Sequence, residues 1–183
     1  MLLPSWILFA QVMVGIMITA PNYIEEKEHK TLDALRITPL TLREVIMAKC
    51  TSILLFSIVS QLLVYIVNMG VDTQLLRILP VAVVGGIIFI QVGMIIGLTM
   101  NSSKTATALS SIFMVLFFLI GTLYQELSEW KAILQFIPSV VVVENFYGIF
   151  NEQFLVFEVV MLLLWAVILY LIIFYLINKE LKK

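Results

Sequence analysis

"YIEEKEHKTLDALRITPL", residues 23–40, places seven formally charged side chains and the only histidine of the chain in one short segment. Elsewhere the 183-residue chain is strongly apolar: 62% of its residues are hydrophobic, 13% are charged, and the mean hydropathy is +1.09. Soluble domains carry about 25% charge and roughly half apolar residues, and a chain this small cannot hide the excess from water. The polar segment is an island between apolar runs, and what flanks it decides the fold.

Five apolar runs come close to the ~20 residues needed to cross a bilayer: 5–20, 50–69, 78–100, 105–124 and 155–177. The first is the shortest. It reads as a true span rather than a signal peptide, because it lacks a basic start and Pro21-Asn22 follows it where a cleavage pattern would stand. Lipid tolerates only helices or closed barrels, and continuous runs without alternating polar positions mean helices. The expected fold is all-α: a polytopic helical membrane protein forming one domain over 1–183. A polar loop covers 21–49, and a stretch at 125–154 follows the fourth span on the other side.

Lys27, Lys30, Arg36, Arg43 and Lys49 lie in the polar loop, Lys104 in the next link on that side, and Lys179, Lys182 and Lys183 in the tail. Only Arg77 and Lys131 fall on the opposite side. Lys and Arg accumulate in cytoplasmic loops. The expectation is a cell-membrane protein with its charged loop and C-terminus cytoplasmic and its N-terminus outside. A polytopic chain usually starts in the cytoplasm, so this one reads as though an opening helix were missing.

The charged loop cannot enter the bilayer, since each charge at mid-depth costs ~2.5–3.5 kcal/mol. Locally, Pro21 is expected to end the first span, and Asn22 with Glu25 to cap a new helix. In that helix Ile24, Thr31, Leu32 and Leu35 share an arc of roughly 100°. Thr38-Pro39 breaks it. Thr41-Leu-Arg-Glu44 then forms a capping box, with Leu40 and Val45 as a hydrophobic staple, and leads into the span near Cys50. Such an amphipathic helix either rests on lipid headgroups or docks a soluble partner; Glu25, Glu26 and Glu28 suit anionic lipid poorly.

"EEKEHKTLDALRITPLTLREVIMAK" resembles the first cytoplasmic loop of type-2 ATP-binding-cassette (ABC) exporter permeases, whose pattern reads approximately E-K-E-x-G-T-L-E-x-L-x-x-x-P followed by a later Lys. Glu26, Lys27, Glu28, Thr31, Leu32, Asp33, Leu35, Pro39 and Lys49 carry the match, and Lys30 stands where glycine is common. "GMIIGLTMNSSKTATALSSIFMVLFFLIGTLY" and "SEWKAILQFIPSVVVVENF" are similar to later parts of the same family. The resemblance implies six spans, of which this chain supplies the last five. It also implies a permease dimer, with itself or a sister permease, and two separate ATPase subunits that hydrolyse ATP. In that arrangement Glu25, Glu26, Lys27, Glu28, Thr31, Leu32, Leu35 and Pro39 form the docking and coupling element. The chain has no phosphate-binding loop of its own, since no glycine is directly followed by Lys. No enzymatic activity and no bound cofactor are expected of it.

Within the spans, Gln11, Ser57, Ser60, Gln61, Gln91 and Glu158 either line a substrate path or hydrogen-bond between helices. Gly93-x-x-x-Gly97 serves packing inside the subunit or between subunits. The expected dimer contact uses spans one and four, with Gly121 and the small residues of 106–111. The stretch 125–154 is expected to form two short re-entrant helices separated by Pro138. A net charge of −1 gives no basic surface for nucleic acid, and a lone His29 and a lone Cys50 offer neither a metal site nor a disulfide. The leading reading is the membrane subunit of an exporter for a hydrophobic or amphiphilic compound. The alternatives are an ATP-independent channel or secondary transporter, and a non-transporting remnant. An intramembrane enzyme would need a nucleophile with a base, or facing acids, which the sequence does not display.

Overall fold

The structure, a computed structural model, describes residues 2–28, 42–153 and 156–180; the side chains of 26–28, 42, 43, 128 and 180 lie outside that description. Every regular element in it is helical. α1 (Leu3–Val12), a π-helical segment (Met13–Ile18) and α2 (Thr19–Glu28) run end to end as the first long helix. α3 (Leu42–Met69), α4 (Gln74–Thr99) and α5 (Ser103–Leu123) follow with short links. A 3₁₀ turn (Ser128–Trp130), α6 (Lys131–Leu134) and α7 (Pro138–Phe150) precede the last helix, α8 (Val156–Glu180). Five of these helices are long and apolar enough to cross a membrane: Leu3–Glu25, Glu44–Met69, Gln74–Thr99, Ser103–Leu123 and Val156–Lys179.

Pro21 does not end the first span, contrary to the local rule. The helix passes through it to Glu28. A proline ring inside a helix strikes the carbonyl four residues back, here that of Met17. The π segment immediately upstream widens the helix at that place and takes up the misfit. Asn22 accordingly does not cap a new helix; its Nδ2 donates to the carbonyl of Ile18 at 2.8 Å, within the continuing one. The rest of the expected coupling element, including Thr31, Leu32, Leu35, Pro39 and Thr41, lies outside the described residues. The helix beginning at Leu42 then runs unbroken to Met69.

The first helix and α4 form the buried centre, while α3, α5 and α8 surround them and expose most of their apolar surface. Close approach at the centre rests on glycine. A methyl group on Gly93 would stand 2.7 Å from the carbonyl oxygen of Gly15, and one on Gly15 2.6 Å from Cβ of Phe89. Gly97 abuts Ala20 and Tyr23. The Gly93-x-x-x-Gly97 line therefore packs inside the subunit. Gly121 is likewise enclosed, against Leu8 and Ser139, and Ala106 and Ser110 are buried. Of the small residues expected to serve a dimer contact, Gly121, Ala106 and Ser110 face inward, while Thr107 and Ala108 are exposed. Spans one and four also expose bulky side chains: Trp6 and Met13 on one, Leu116 and Leu119 on the other.

The turns are built by local chemistry. Gly70 (φ 80°) closes α3 in the left-handed conformation that glycine adopts without strain. Asp72 then organises the link: its Oδ1 accepts from the Tyr65 hydroxyl at 2.6 Å and from the backbone N–H groups of Gln74 and Leu75 at 3.0 and 3.2 Å. Ser102 caps α5, accepting from the Thr105 N–H at 3.3 Å. Of the two short helices before α8, α6 is a single exposed turn, whereas α7 is buried against α1, α4, α5 and α8. Pro138 begins α7 at the position where its missing N–H costs nothing.

Candidate functional site

The intramembrane polar residues have different fates. Gln11 is fully buried, and its Nε2 donates across the helix interface to the Ala82 carbonyl at 3.1 Å. It lies against Gly85, where a methyl group would come within 2.5 Å of Nε2. Gln61 is also fully buried and bonds within its own helix, to the Ser57 carbonyl at 3.1 Å and hydroxyl at 3.0 Å. Ser60 donates to the same Ser57 carbonyl at 2.8 Å. Gln11 thus ties two helices together, whereas Gln61 and Ser60 bond only within α3.

Gln91 differs. It sits on α4 in the floor of a groove of about 510 Å³ between α3, α4 and α8. α3 and α8 each pack on α4 but make no extensive contact with one another, which leaves the groove between them. Its walls are apolar, with Ile46, Leu54, Met94 and Phe174 among them. The Oε1 of Gln91 is buried there without a hydrogen-bond partner. A buried amide carbonyl left unpaired costs ~1–3 kcal/mol, and this one has no surface of its own open to the groove. The only cysteine, Cys50, lines the same groove.

Glu158 stands half-buried in the first turn of α8. Its neighbour is Glu144 of α7, whose carboxyl is raised above the usual carboxylate range, first by burial and second by the Glu158 charge. Burial, and then Glu144, in turn push the Tyr147 hydroxyl up. Sequence reasoning passed over Glu144, although an acid inside the apolar run "SVVVVENF" was a signal that could have found it. Among the described residues no cluster of three His, Cys, Asp or Glu could hold a metal ion.

At the opposite end of the bundle, Glu25 is exposed and its Oε1 accepts from the Ser103 hydroxyl at 3.3 Å. The beginning of the charged segment is thereby joined to the start of α5. Glu26, Lys27 and Glu28 lie on the backbone of α2, while Thr31, Leu32, Leu35 and Pro39 fall outside the described residues.

No curated protein and no solved structure matched the chain. A family model described as ABC-2 family transporter protein matches residues 1–176. That match covers nearly all of the chain, taking in four of the long apolar helices whole and most of the fifth. The chain belongs to the ABC-2 family of transporter proteins and is its multi-pass, non-catalytic membrane subunit.

Proposed function

We propose that this chain is the permease of an ABC-type exporter, moving a hydrophobic or amphiphilic compound outward on ATP hydrolysed by a separate subunit. ABC-2 permeases generally pair with ATPase subunits. The observation that carries the substrate class is the groove at Gln91, whose walls are apolar. Such a site takes an apolar body.

The end bearing Glu25, Lys104 and Lys179 is the cytoplasmic one in this reading, and the ATPase docks there on the segment from Glu25 to Pro39. The bond between Glu25 and Ser103 supports it, since it gives motion of that segment a direct route into α5. Two permease copies, or this one with a sister, would meet through the bulky exposed faces of spans one and four.

The test is reconstitution with the ATPase that co-purifies from native membranes, using a panel of fluorescent amphiphiles. The expected result is ATP-dependent extrusion that Leu35→Ala or Glu28→Arg abolishes, with loosened ATPase binding at unchanged membrane levels. Extrusion without ATP, or normal transport by both variants, would overturn the proposal.

A further inference from the structure

A second groove, of about 490 Å³, opens between α4, α7 and α8 at the end of the bundle opposite Glu25. Its lining is graded along the helices. Arg77, Glu152 and Gln153 lie toward the end of the bundle, and Val84, Leu162 and Leu163 lie toward its middle. From Arg77 to Val84 the helix rises about 10 Å, so the groove passes from headgroup depth into the hydrocarbon.

The two charges at its rim are unusual in their placement. Among the described residues Arg77 and Glu152 do not pair with each other, although both line the groove. Glu152 is also the only described non-glycine residue with positive φ, at 55°. It occupies the second position after the last residue of α7, just beyond the capping Asn151, where glycine is usual: its N–H donates to the Ile149 carbonyl at 3.2 Å, and the Gln153 N–H to the Gly148 carbonyl at 2.8 Å. A glycine would close this turn without strain, yet it would put no carboxylate at the rim.

We propose that this groove holds a phospholipid with an amine headgroup, of the phosphatidylethanolamine type. Arg77 takes the phosphate, the Glu152 carboxylate accepts from the ammonium, and one acyl chain lies along Val84, Leu162 and Leu163. The argument is charge complementarity. One cation and one anion, held apart beside an apolar trough, match a zwitterion with a tail. An anionic phosphatidylglycerol would meet Glu152, and a choline headgroup has no N–H to donate. The site is separate from the Gln91 groove and does not depend on what is exported.

The experiment is thermal unfolding and native mass spectrometry of the full chain in detergent, titrated with phosphatidylethanolamine, phosphatidylcholine or phosphatidylglycerol of identical acyl composition. Phosphatidylethanolamine should bind about fivefold more tightly than either of the others, and stabilise more. Glu152→Gln should erase the preference, whereas Arg77→Gln, which removes the contact to the phosphate that all three lipids share, should weaken the binding of all three. Glu152→Gly should raise the basal Tm, by relieving the backbone, and still lose the preference, which separates lipid binding from turn stability. Equal binding of the three lipids, a preference for phosphatidylglycerol, or a preference that survives Glu152→Gln overturns the proposal.

Discussion

Gly15 and Gly93 meet at the crossing of the first helix and α4, so closely that a methyl group on Gly93 would lie 2.7 Å from the Gly15 carbonyl oxygen. The obstacle is backbone, which cannot turn aside as a flexible side chain can. Gly93→Ala should therefore destabilise the protein by about 1–3 kcal/mol. Gly86→Ala should be milder, because its nearest obstacle is the tip of Leu54 at 2.9 Å. Thermal unfolding in detergent compares the two. Equal stabilities would contradict the central crossing.

Gln91 and Gln61 should part company when each is changed to Leu. Gln61→Leu removes two bonds within one helix and an unpaired oxygen together, so stability and transport should both stay near wild type. Gln91→Leu removes only the unpaired oxygen's cost and should hold or raise the Tm, while amphiphile-stimulated ATP hydrolysis falls about tenfold. Unchanged stimulation would exclude the groove as part of the path.

Orientation is tested by thiol labelling in a Cys50→Ser background. Val71 is 82% exposed in the link between α3 and α4, so Val71→Cys should react with an impermeant maleimide on intact cells. Asp72 is the wrong place for a probe, because its carboxylate holds Tyr65 and the start of α4. His29→Cys should react only after the membrane is opened. The reverse pattern would place the charged segment outside.

A pH dependence follows from Glu144. Its carboxyl titrates above the usual range in the folded protein, so over that window the folded state binds the more protons. Stability then falls as pH rises from the ordinary carboxylate range through the raised value. Below that range both states are protonated and the penalty vanishes. Glu144→Gln should raise the Tm at pH 8 and leave it unchanged at pH 4. A variant that gains equally at both values would place the effect in packing rather than in charge.

The spans were legible because an apolar run of about 20 residues has few alternatives in lipid. The polar residues inside them were visible too, but not their roles. Gln11, Gln61 and Gln91 look alike in sequence, and only the packing of α3 and α8 on α4 leaves one of them facing a groove. Glu144 escaped notice because its partner, Glu158, belongs to a different helix. Pro21 misled for a related reason. The rule that proline ends a helix holds for regular α geometry, and nothing local marks residues 13–18 as π-helical.

The continuity of the first helix has a mechanical meaning. From Leu3 to Glu28 it is a single rod of roughly 40 Å, taking about 1.5 Å per residue. A push on its Glu25 end would not dissipate in a loop at Pro21, as a broken helix would allow. It would arrive as tilt at Trp6 on the far face, with Gly15 and Gly93 as the fulcrum. The π segment surrounds that fulcrum, so the place where the helix departs from regular winding is also the place where it crosses α4.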